Sequence, residues 1–535
     1  MRGFRLSTVS IGCGLGCAVL ALARCSGPNM ANVSPPQWAA DSSTVRVAAG
    51  PQYTRGAVWR FFWGRHYRDI WATPVTVPVV RLATIIPDTL TPTRAGGSYQ
   101  TRSLRLCATN GHEFVLRSVD KDASAALPAG WIRWLLGGLM KDQTSVGQPY
   151  GAYVAAPLAE AAGVYHTNPS LVYLPNDPGL RRFRSGYANA LYLLEERPDG
   201  NQQYAANFGH SPAVVNSRHM LLAIRKQAGT QVEARAYLRA RLLDMWLGDW
   251  SRRPDQWRWA SFPAAGRTSY RPIPRDRDQA FFLFDDGLIT RIVSWFVPKY
   301  HSFHATIPLR TVDGLSTTAR ALDRTLLGSL SAADFQQEAD SLRQRLTDGA
   351  IAAALASGPP ETRATIAAHL APLLRARREQ LPAVAARYYE IISQESWVVG
   401  TDKPERFILS EAGAGRLRVQ MLALRPGQPD SLITERVYDR QTTRHLEVYG
   451  LAGNDIFELR STINPGFLVS VYDGAGHDQV LRPAATRADL SACTWYSRPD
   501  GDATRHQAGI TIEPDPHPEL TTDSHAWLKR YNLRD

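Results

Sequence analysis

The chain is poor in cysteine, and its cysteines form no metal-binding pattern. Five cysteines occur among 535 residues, without a C-x-x-C pair or a Cys/His spacing typical of zinc sites. The motifs GxxxxGK[ST], GxSxG and HExxH are also absent from the sequence, which disfavours P-loop, α/β-hydrolase and zincin chemistry. Cys107 and Cys493 are far apart in sequence, and a disulfide between them would require an oxidising compartment.

Long apolar runs are scarce after the first residues. Trp131–Met140 is apolar, but it has only about half of the ~20 residues that a helix needs to cross a bilayer. Residues 1–24, in contrast, have the pattern of an export signal: a basic start, an uncharged apolar stretch and an A-x-A site at Ala21–Ala23. We therefore expect an exported protein, in the periplasm or associated with an outer membrane.

The end of this segment allows more than one kind of processing. Leu22–Cys25 half-matches a lipoprotein box, in which Cys25 would be lipidated and would tether the protein to a membrane. Arg24 departs from that pattern, because a small residue is usual before the cysteine. Lipidation at Cys25, cleavage after Ala23 and a retained anchor all stay open.

Runs of like charge are missing as well. The formal net charge is +12, but the excess arginine is scattered along the chain, with no block of five or six. This pattern favours attraction to phosphates or anionic surfaces and disfavours a dedicated nucleic-acid binder. A chain of this length is expected to fold as about two to four domains.

Hydrophobic patterning predicts an α+β protein. Leu104–Leu106 and Phe114–Leu116 read as strands, with Asn110-Gly111 as a hairpin signal between them. Ala152–Ala162 reads as a helix, and residues 313–392 as long helices. The predicted order is a signal peptide (1–24), a linker (25–55), a β-rich lobe (56–200), a helical lobe (201–394) and a β domain with two G-x-D turns (395–535).

One internal repeat lies in the last of these regions. Residues 450–457 (GLAGNDIF) recur 23 residues later as 473–480 (DGAGHDQV). The G-x-D turn resembles the calcium-binding turn of β-rolls, which makes Asp455 and Asp478 candidate calcium ligands. Two equivalent tight turns in a β-sandwich or short solenoid explain the repeat equally, and copies at this spacing are not expected to stack as a roll.

The chain also carries two acid clusters beside apolar segments. The first follows a helical apolar run and contains Asp249, Asp255 and Gln256; the second, Arg275–Asp278, runs into Ala280-Phe281-Phe282. Buried charge is costly without a partner. Asp276 and Asp278 would face one side of an extended segment, so they could bind a metal with phosphate, or the neighbouring arginines. Trp257 and Trp259 are expected to pack in a core.

Several phrases of the sequence resemble exported proteins of Bacteroidota in which a similar portion precedes a BamA/TamA-like outer-membrane barrel. The resemblance implies an envelope location and an outer-membrane barrel protein as partner. The barrel would begin near Lys529–Asn532, so we expect a barrel-less member or a truncated product. The matching phrases are HYRDIWATPV (66–75), GGSYQTRSLRL (96–106), EFVLRSVDKD (113–122), HTNPSLVYLPNDPGL (166–180), LYLLEERP (191–198), RARLLDMWLGDW (239–250), DQWRWA (255–260), PIPRDRDQAFF (272–282) and LEVYGLAGNDIFEL (446–459).

The order of these elements also resembles the atypical kinases of the HipA and CotH type. The expected fold is a kinase-like core of two lobes, a small β-rich lobe and a larger helical lobe, followed by a C-terminal β domain. ATP and Mg²⁺ are the implied cofactors. The resemblance assigns Gly96 and Gly97 to a loop over the nucleotide, Arg117 and Lys121 to phosphate, and Glu160 to an ion pair. The implied metal ligands are Gln256, Asp276 and Asp278.

The loop that should carry the catalytic base departs from the kinase pattern. Ser251 stands where the resemblance predicts Asp, Arg253 where it predicts His, and Gln256 where it predicts a metal-binding Asn. A serine hydroxyl does not accept a proton at neutral pH, so Asp249 or Asp255 would have to replace the base. The resemblance thus implies an exported protein with a kinase-like, nucleotide-binding core, either a pseudokinase or a degenerate Mg²⁺-dependent phosphotransferase. The alternative is a non-catalytic structural or interaction module of an outer-membrane barrel protein.

Overall fold

The computed structural model describes residues 43–85, 88–97, 101–122, 124, 130–227, 229–297, 299–460, 464–481, 492–498, 511–531 and 533. The predicted signal peptide and Cys25 lie outside these residues. Across this part of the chain, no helix is long and apolar enough to cross a membrane. Cys107 and Cys493 are both free thiols, so the structure contains no disulfide between them.

A two-stranded antiparallel ribbon with two short helices opens the described chain. β1 (Thr44–Ala48) pairs with β2 (Pro74–Pro78), and α1 (Ala57–Trp63) and α2 (Arg68–Ala72) lie between them in sequence. The buried residues of β2 alternate with exposed ones, because successive side chains of a strand point to opposite faces. Arg68 of α2 is buried and binds Asp142 through two bonds of 2.8 and 2.7 Å.

An antiparallel sheet of five strands follows. Its order is β3-β4-β5-β7-β6, and two helices connect β5 to β6. The hairpin between β4 and β5 turns at Gly111, whose φ of 84° suits glycine. The predicted strands and hairpin are confirmed. The elements are β3 (Thr91–Gly96), β4 (Ser103–Cys107), β5 (Glu113–Ser118), α3 (Trp131–Asp142), α4 (Gly151–Ala161), β6 (Ser170–Leu174), α5 (Arg184–Tyr187) and β7 (Ala190–Glu196).

The middle of the chain is mainly helical, as predicted, but it also contains a small sheet of order β8-β10-β11-β9. The sequence patterns assign this region to a helical lobe and predict no strands here. They do place Trp257 and Trp259 in a core, and both are buried; the missed signal is their alternation around Arg258. The elements are β8 (Ala213–Asn216), α6 (Ser217–Lys226), β9 (Thr230–Val232), α7 (Ala234–Leu247), β10 (Trp257–Ala264), β11 (Arg267–Pro274), α8 (Leu288–Phe296), α9 (Leu309–Ser316), α10 (Arg320–Leu327), α11 (Ala332–Arg345), α12 (Asp348–Ala356), α13 (Pro360–Glu379) and α14 (Leu381–Gln394).

The last region consists of two five-stranded sheets that enclose their own hydrophobic core. Several of its strands pair in parallel with the strand one coil later. The elements are β12 (Glu395–Val399), β13 (Glu405–Glu411), β14 (Arg416–Ala423), β15 (Ser431–Asp439), β16 (His445–Tyr449), β17 (Ile456–Leu459), β18 (Leu468–Tyr472), β19 (Gln479–Leu481), β20 (Cys493–Ser497), β21 (Thr511–Pro514) and α15 (Ser524–Leu528).

The internal repeat forms two successive coils of a short solenoid. His445 of β16 pairs with Leu468 of β18, and Ile456 of β17 pairs with Gln479 of β19, so each pairing joins residues 23 apart, as in the repeat. Ala452 and Ala475 form a bridge between the two turns. The expectation that this spacing prevents stacking is wrong, because 23 residues make one full coil. The alternative of two equivalent turns in a short solenoid is confirmed. The predicted α+β class, with strand-rich, helical and C-terminal strand-rich parts, is confirmed.

Candidate functional site

Arg117 lies near the end of β5 and brings a buried guanidinium between two distant parts of the chain. Arg117 is only 5% exposed. Its Nη2 contacts Asp276 and lies 2.5 Å from Oδ2 of Asp278, and its Nε lies 3.8 Å from Oε1 of Glu195 on β7. Three carboxylates therefore converge on one guanidinium.

Lys121, just after β5, adds a second cation to this cluster. Its Nζ lies 2.9 Å from Oδ2 of Asp278. Burial alone would raise the pKa of Asp278, but the charges of Arg117 and Lys121 outweigh burial and hold that pKa below its usual range. Burial raises the pKa of Glu195, against the opposing charge of Arg117. Asp278 is therefore the firmly ionised acid of the cluster.

The segment after β11 is held in an unusual backbone conformation. Asp276 and Phe281 have φ values of 65° and 61°, in the left-handed region that costs a non-glycine residue about 1–2 kcal/mol. Contacts on both sides enforce this shape. Nε of Arg277 lies 3.4 Å from Oδ1 of the buried Asp244, and the hydroxyl of Tyr67 donates to the carbonyl of Phe281 at 2.6 Å. Such enforced strain clusters at ligand sites.

A cavity of about 340 Å³ lies directly beside the cluster. Arg117, Lys121 and Asp278 form its charged end, and the remaining wall is mostly apolar. Concave sites of this kind, with a few convergent polar groups in an apolar wall, are typical of small-molecule sites. The aromatic and aliphatic side chains of the wall include Trp63, Trp71, Val119, Met140, Leu193, Trp250, Phe282, Phe284 and Tyr300.

The predicted magnesium ligands are only partly brought together. Asp276 and Asp278 share Arg117, whereas Oε1 of Gln256 accepts a hydrogen bond from Oγ of Ser251 at 3.3 Å. The arginine that binds the two carboxylates is thus not a sequence neighbour but comes from β5. Among the described residues, no group of three Cys, His, Asp or Glu is placed to hold a metal ion. A magnesium site at Asp276 and Asp278 stays a prediction.

The predicted catalytic loop does not face the cavity in the expected way. Asp249 is fully buried and contacts Arg252, and burial, opposed by that arginine, raises its pKa to about 6. The backbone N–H of Ser251 donates to Asp249 at 3.1 Å. Asp255 pairs with Arg253 at 3.0 Å. Of this loop, Trp250 is the residue that lines the cavity. The geometry therefore does not favour Asp249, Ser251 or Asp255 as a catalytic group.

A buried ionic network that the sequence patterns did not reveal supports this loop. Asp244 of α7 is fully buried and lies 3.4 Å from Arg241, 3.1 Å from Arg252 and 3.4 Å from Arg277. The network joins α7, the 249–256 loop and the segment that carries Asp276. An acid inside the apolar run RLLDMWL was the available signal, because a buried carboxylate needs cationic partners.

The predicted nucleotide loop and helix acid are not among the residues that line the cavity, although Gly96 pairs with Ser103 and Ser103 with Arg117, in one rung of the sheet. Gly96 and Gly97 are exposed at the end of β3, and residues 98–100 lie outside the described part of the loop. Glu160 is exposed in the last turn of α4. The glutamate beside Arg117 is instead Glu195, which the sequence patterns missed because it is one of two adjacent acids at the end of a strand.

The candidate calcium ligands Asp455 and Asp478 are buried, and each accepts a backbone hydrogen bond from a neighbouring coil, which forms a ladder between the coils. Oδ1 of Asp455 accepts the backbone N–H of Glu405, and Oδ1 of Asp478 accepts that of Asp455, each at 2.8 Å. Burial, reinforced by Glu405, raises the pKa of Asp455 to about 9, and burial raises those of Glu405 and Asp478 to about 7. These carboxyls bond the backbone of the neighbouring coil, and calcium binding stays a prediction.

Comparisons with known proteins add little to this geometry. No family model matches the chain, and no curated protein matches it. A solved structure, the proinflammatory kinase CtkA of Helicobacter pylori, is similar over 56% of this chain and 94% of its own, with 12% identity and a TM-score of 0.29. A likeness of this size establishes no function. The comparisons do not support a relationship with the Bacteroidota proteins or a BamA-like barrel, which stays a prediction.

Proposed function

We propose that the protein is a nucleotide-binding pseudokinase, and that the nucleotide occupies the cavity beside Arg117, Lys121 and Asp278. The observation that carries the proposal is the composition of this one cavity: two cations and an ionised carboxylate at one end, and aromatic walls elsewhere. Phosphate groups are recognised by arginine and lysine, and a nucleotide base suits an aromatic wall such as that of Trp63 and Trp71.

Phosphate binding at the cluster requires ligand exchange. Arg117 is neutralised by Asp276, Asp278 and Glu195, so an entering phosphate would compete with these carboxylates for the guanidinium. A carboxylate released in this way has the hard oxygen donors that Mg²⁺ prefers. Nucleotide binding is therefore expected to be stronger with Mg²⁺ than without it.

The same structure argues against efficient phosphoryl transfer. A catalytic base must reach the acceptor hydroxyl, but Asp249 is fully buried against Arg252 and Asp255 is held by Arg253. Ser251 cannot serve as that base at neutral pH. We therefore expect binding without appreciable turnover.

A thermal-shift titration with ATP and Mg²⁺ tests the binding. A ligand present at about 100 times its Kd stabilises the folded state by about 2.7 kcal/mol, so we expect a rise in Tm that saturates with ATP. Because Trp63, Trp71 and Trp250 line the cavity, quenching of tryptophan fluorescence should follow the same curve. Lys121→Met should abolish both signals, since it removes a cation at the charged end.

Lys403→Met is the matched control, because Lys403 is exposed in the C-terminal β domain; it should leave the titration unchanged. No shift in Tm at millimolar ATP, with Mg²⁺ or Mn²⁺, contradicts the proposal. Release of ADP by the wild type, with the phosphoryl group recovered as inorganic phosphate or on the protein itself, that Asp278→Asn abolishes would instead assign an active enzyme.

The second candidate is a non-catalytic interaction module of an outer-membrane barrel protein. The burial of Asp249 against Arg252 favours this candidate over an active enzyme. Its export rests on the sequence of residues 1–24, and membrane tethering on lipidation of Cys25. A pull-down from envelope membranes that recovers no barrel protein counts against this candidate.

A further inference from the structure

Helix α8 turns its apolar side outward. Leu288, Ile292, Trp295 and Phe296 are exposed, with Trp295 at 67% and Phe296 at 79%. They follow the spacing i, i+4, i+7 and i+8, which places them on one face. The residues that α8 buries are Thr290 and Ser294. An ordinary surface helix buries its apolar stripe, so this inverted arrangement indicates a face that contacts an apolar partner.

Helix α1 packs beside α8 and extends the apolar surface. Val58 and Phe61 of α1 are each 63% exposed, while Trp59 and Trp63 face inward. The two helices approach closely: a Cβ added at Gly287, the residue before α8, would lie 2.7 Å from the carbonyl carbon of Trp63. We call the exposed residues of α1 and α8 together the α1–α8 face.

The charges on this face have one sign. Residues 57–65 and 288–299 contain four basic residues, Arg60, Arg65, Arg291 and Lys299, and no acid. Arg65 and Arg291 are exposed, whereas Nζ of Lys299 lies 5.3 Å from the ring centre of Trp250 in the cavity wall. Arg60 pairs with Asp69 of α2 at 2.8 Å. The acids just before α8 are engaged as well: Asp285 by His304 at 3.0 Å and Asp286 by His66 at 2.7 Å.

We propose that the α1–α8 face docks on a bilayer surface that carries anionic headgroups. Exposed tryptophan and phenylalanine beside arginine and lysine is the composition of helices that lie in the membrane interface. Charge complementarity selects an anionic surface. A second copy of the chain fits poorly, since a symmetric contact would bring the basic residues of two identical faces together with no acid on either helix.

The inner sides of the same helices form part of the cavity wall. Trp63 of α1 and Thr290 and Val293 of α8 line the cavity. Docking would therefore bring that wall to the membrane. The proposal does not depend on nucleotide binding, because it rests on the outer face of the helices alone.

Co-sedimentation of the purified protein with vesicles tests the docking. The vesicles contain phosphatidylcholine alone, or phosphatidylcholine mixed with phosphatidylglycerol. We expect the partition coefficient to be at least about tenfold higher on the anionic vesicles, and to fall as salt is raised. The double variant Trp295→Ser with Phe296→Ser should lower it by about tenfold or more, because it removes the largest exposed apolar area. Arg65→Glu with Arg291→Glu, both at exposed positions, should remove the preference for anionic vesicles.

The matched control is Leu432→Ser with Ile433→Ser, an exposed apolar pair on β15; it should bind vesicles as the wild type does. Thermal melting of each variant shows that its fold is retained, and the charge variant decides the matter if the serine pair fails to fold. Equal binding by the wild type and the serine variant, as expected if another segment drives binding, overturns the proposal. Equal binding to both vesicle types also overturns it, as does a dimer in solution that the serine variant abolishes while no vesicles are bound.

Discussion

Replacing Arg117 with methionine is expected to lower the free energy of unfolding by about 3–5 kcal/mol at neutral pH, the usual cost of removing one partner from a buried ion pair. The variant leaves Glu195, Asp276 and Asp278 without the guanidinium on which they converge. Lys121 can compensate only Asp278. Urea unfolding of both proteins at pH 7 measures the difference.

The pH dependence of this loss identifies its origin. The folded-state pKa of Asp278 lies below its usual range, so its contribution to stability is present above the unfolded pKa of about 4 and is lost as the pH falls through the folded pKa. The deficit of Arg117→Met should therefore be constant above about pH 4 and shrink as the pH falls below that value. Arg377→Met is the control, because buried Arg377 donates to three backbone carbonyls. If the loss of unfolding free energy is independent of pH in both variants, the ion pairs of Arg117 are not its origin.

The C-terminal β domain is expected to lose stability as the pH rises, opposite to the behaviour of an ordinary carboxylate. The folded-state pKa of Asp455 is raised to about 9 by burial and by Glu405. A raised pKa gives stability that is fully present below the unfolded pKa and is lost as the pH rises through the folded value. The window is therefore about pH 4 to 9, with a slope of up to about 1.4 kcal/mol per pH unit. Glu405 and Asp478 act in the same direction.

Asp455→Asn should remove the part of this dependence that Asp455 contributes, and stabilise the domain at pH 8 by on the order of 2 kcal/mol. The asparagine oxygen can still accept the Glu405 N–H, and it carries no charge. Hydrogen exchange of β16 to β19 as a function of pH measures the effect. Asp439→Asn serves as the control, because the pKa of Asp439 is shifted in the opposite direction. A hydrogen bond from the Gln441 N–H is the main cause of the lowered pKa, and one from Arg416 adds to it. Calcium at the ladder would favour the ionised acids, so stabilisation by calcium at pH 8 would overturn this prediction.

Local sequence patterns predicted the elements whose contacts are local. Phe114–Leu116 alternates around the Asn110-Gly111 hairpin, and the strand and turn follow from neighbours alone. The contact of Arg117 with Asp278 spans 161 residues, and no periodicity specifies which cation meets which acid across that distance. Sequence placed both residues in one candidate site through a resemblance, but it assigned Arg117 to phosphate and not to the three carboxylates it binds.

Burial was the property least visible in the sequence. Asp249 reads as a polar loop residue, yet the helix before it is buried all round, and the chain leaves that helix without reaching the surface. Glu195 and Glu196 are adjacent, but one faces Arg117 and is buried whereas the other is less so. Helix α8 gives the converse case, since apolar side chains that would ordinarily be buried, such as Trp295 and Phe296, are exposed.

The coil spacing of the C-terminal domain limits how its length can change. His445 and Ile456 each pair with the residue 23 positions later, so an insertion or deletion of one whole coil preserves both ladders, whereas a gain or loss of one residue would turn every later side chain of a strand to the opposite face. Length variation between related chains is thus expected to occur here in multiples of one coil, and shorter changes to be confined to the connections between strands.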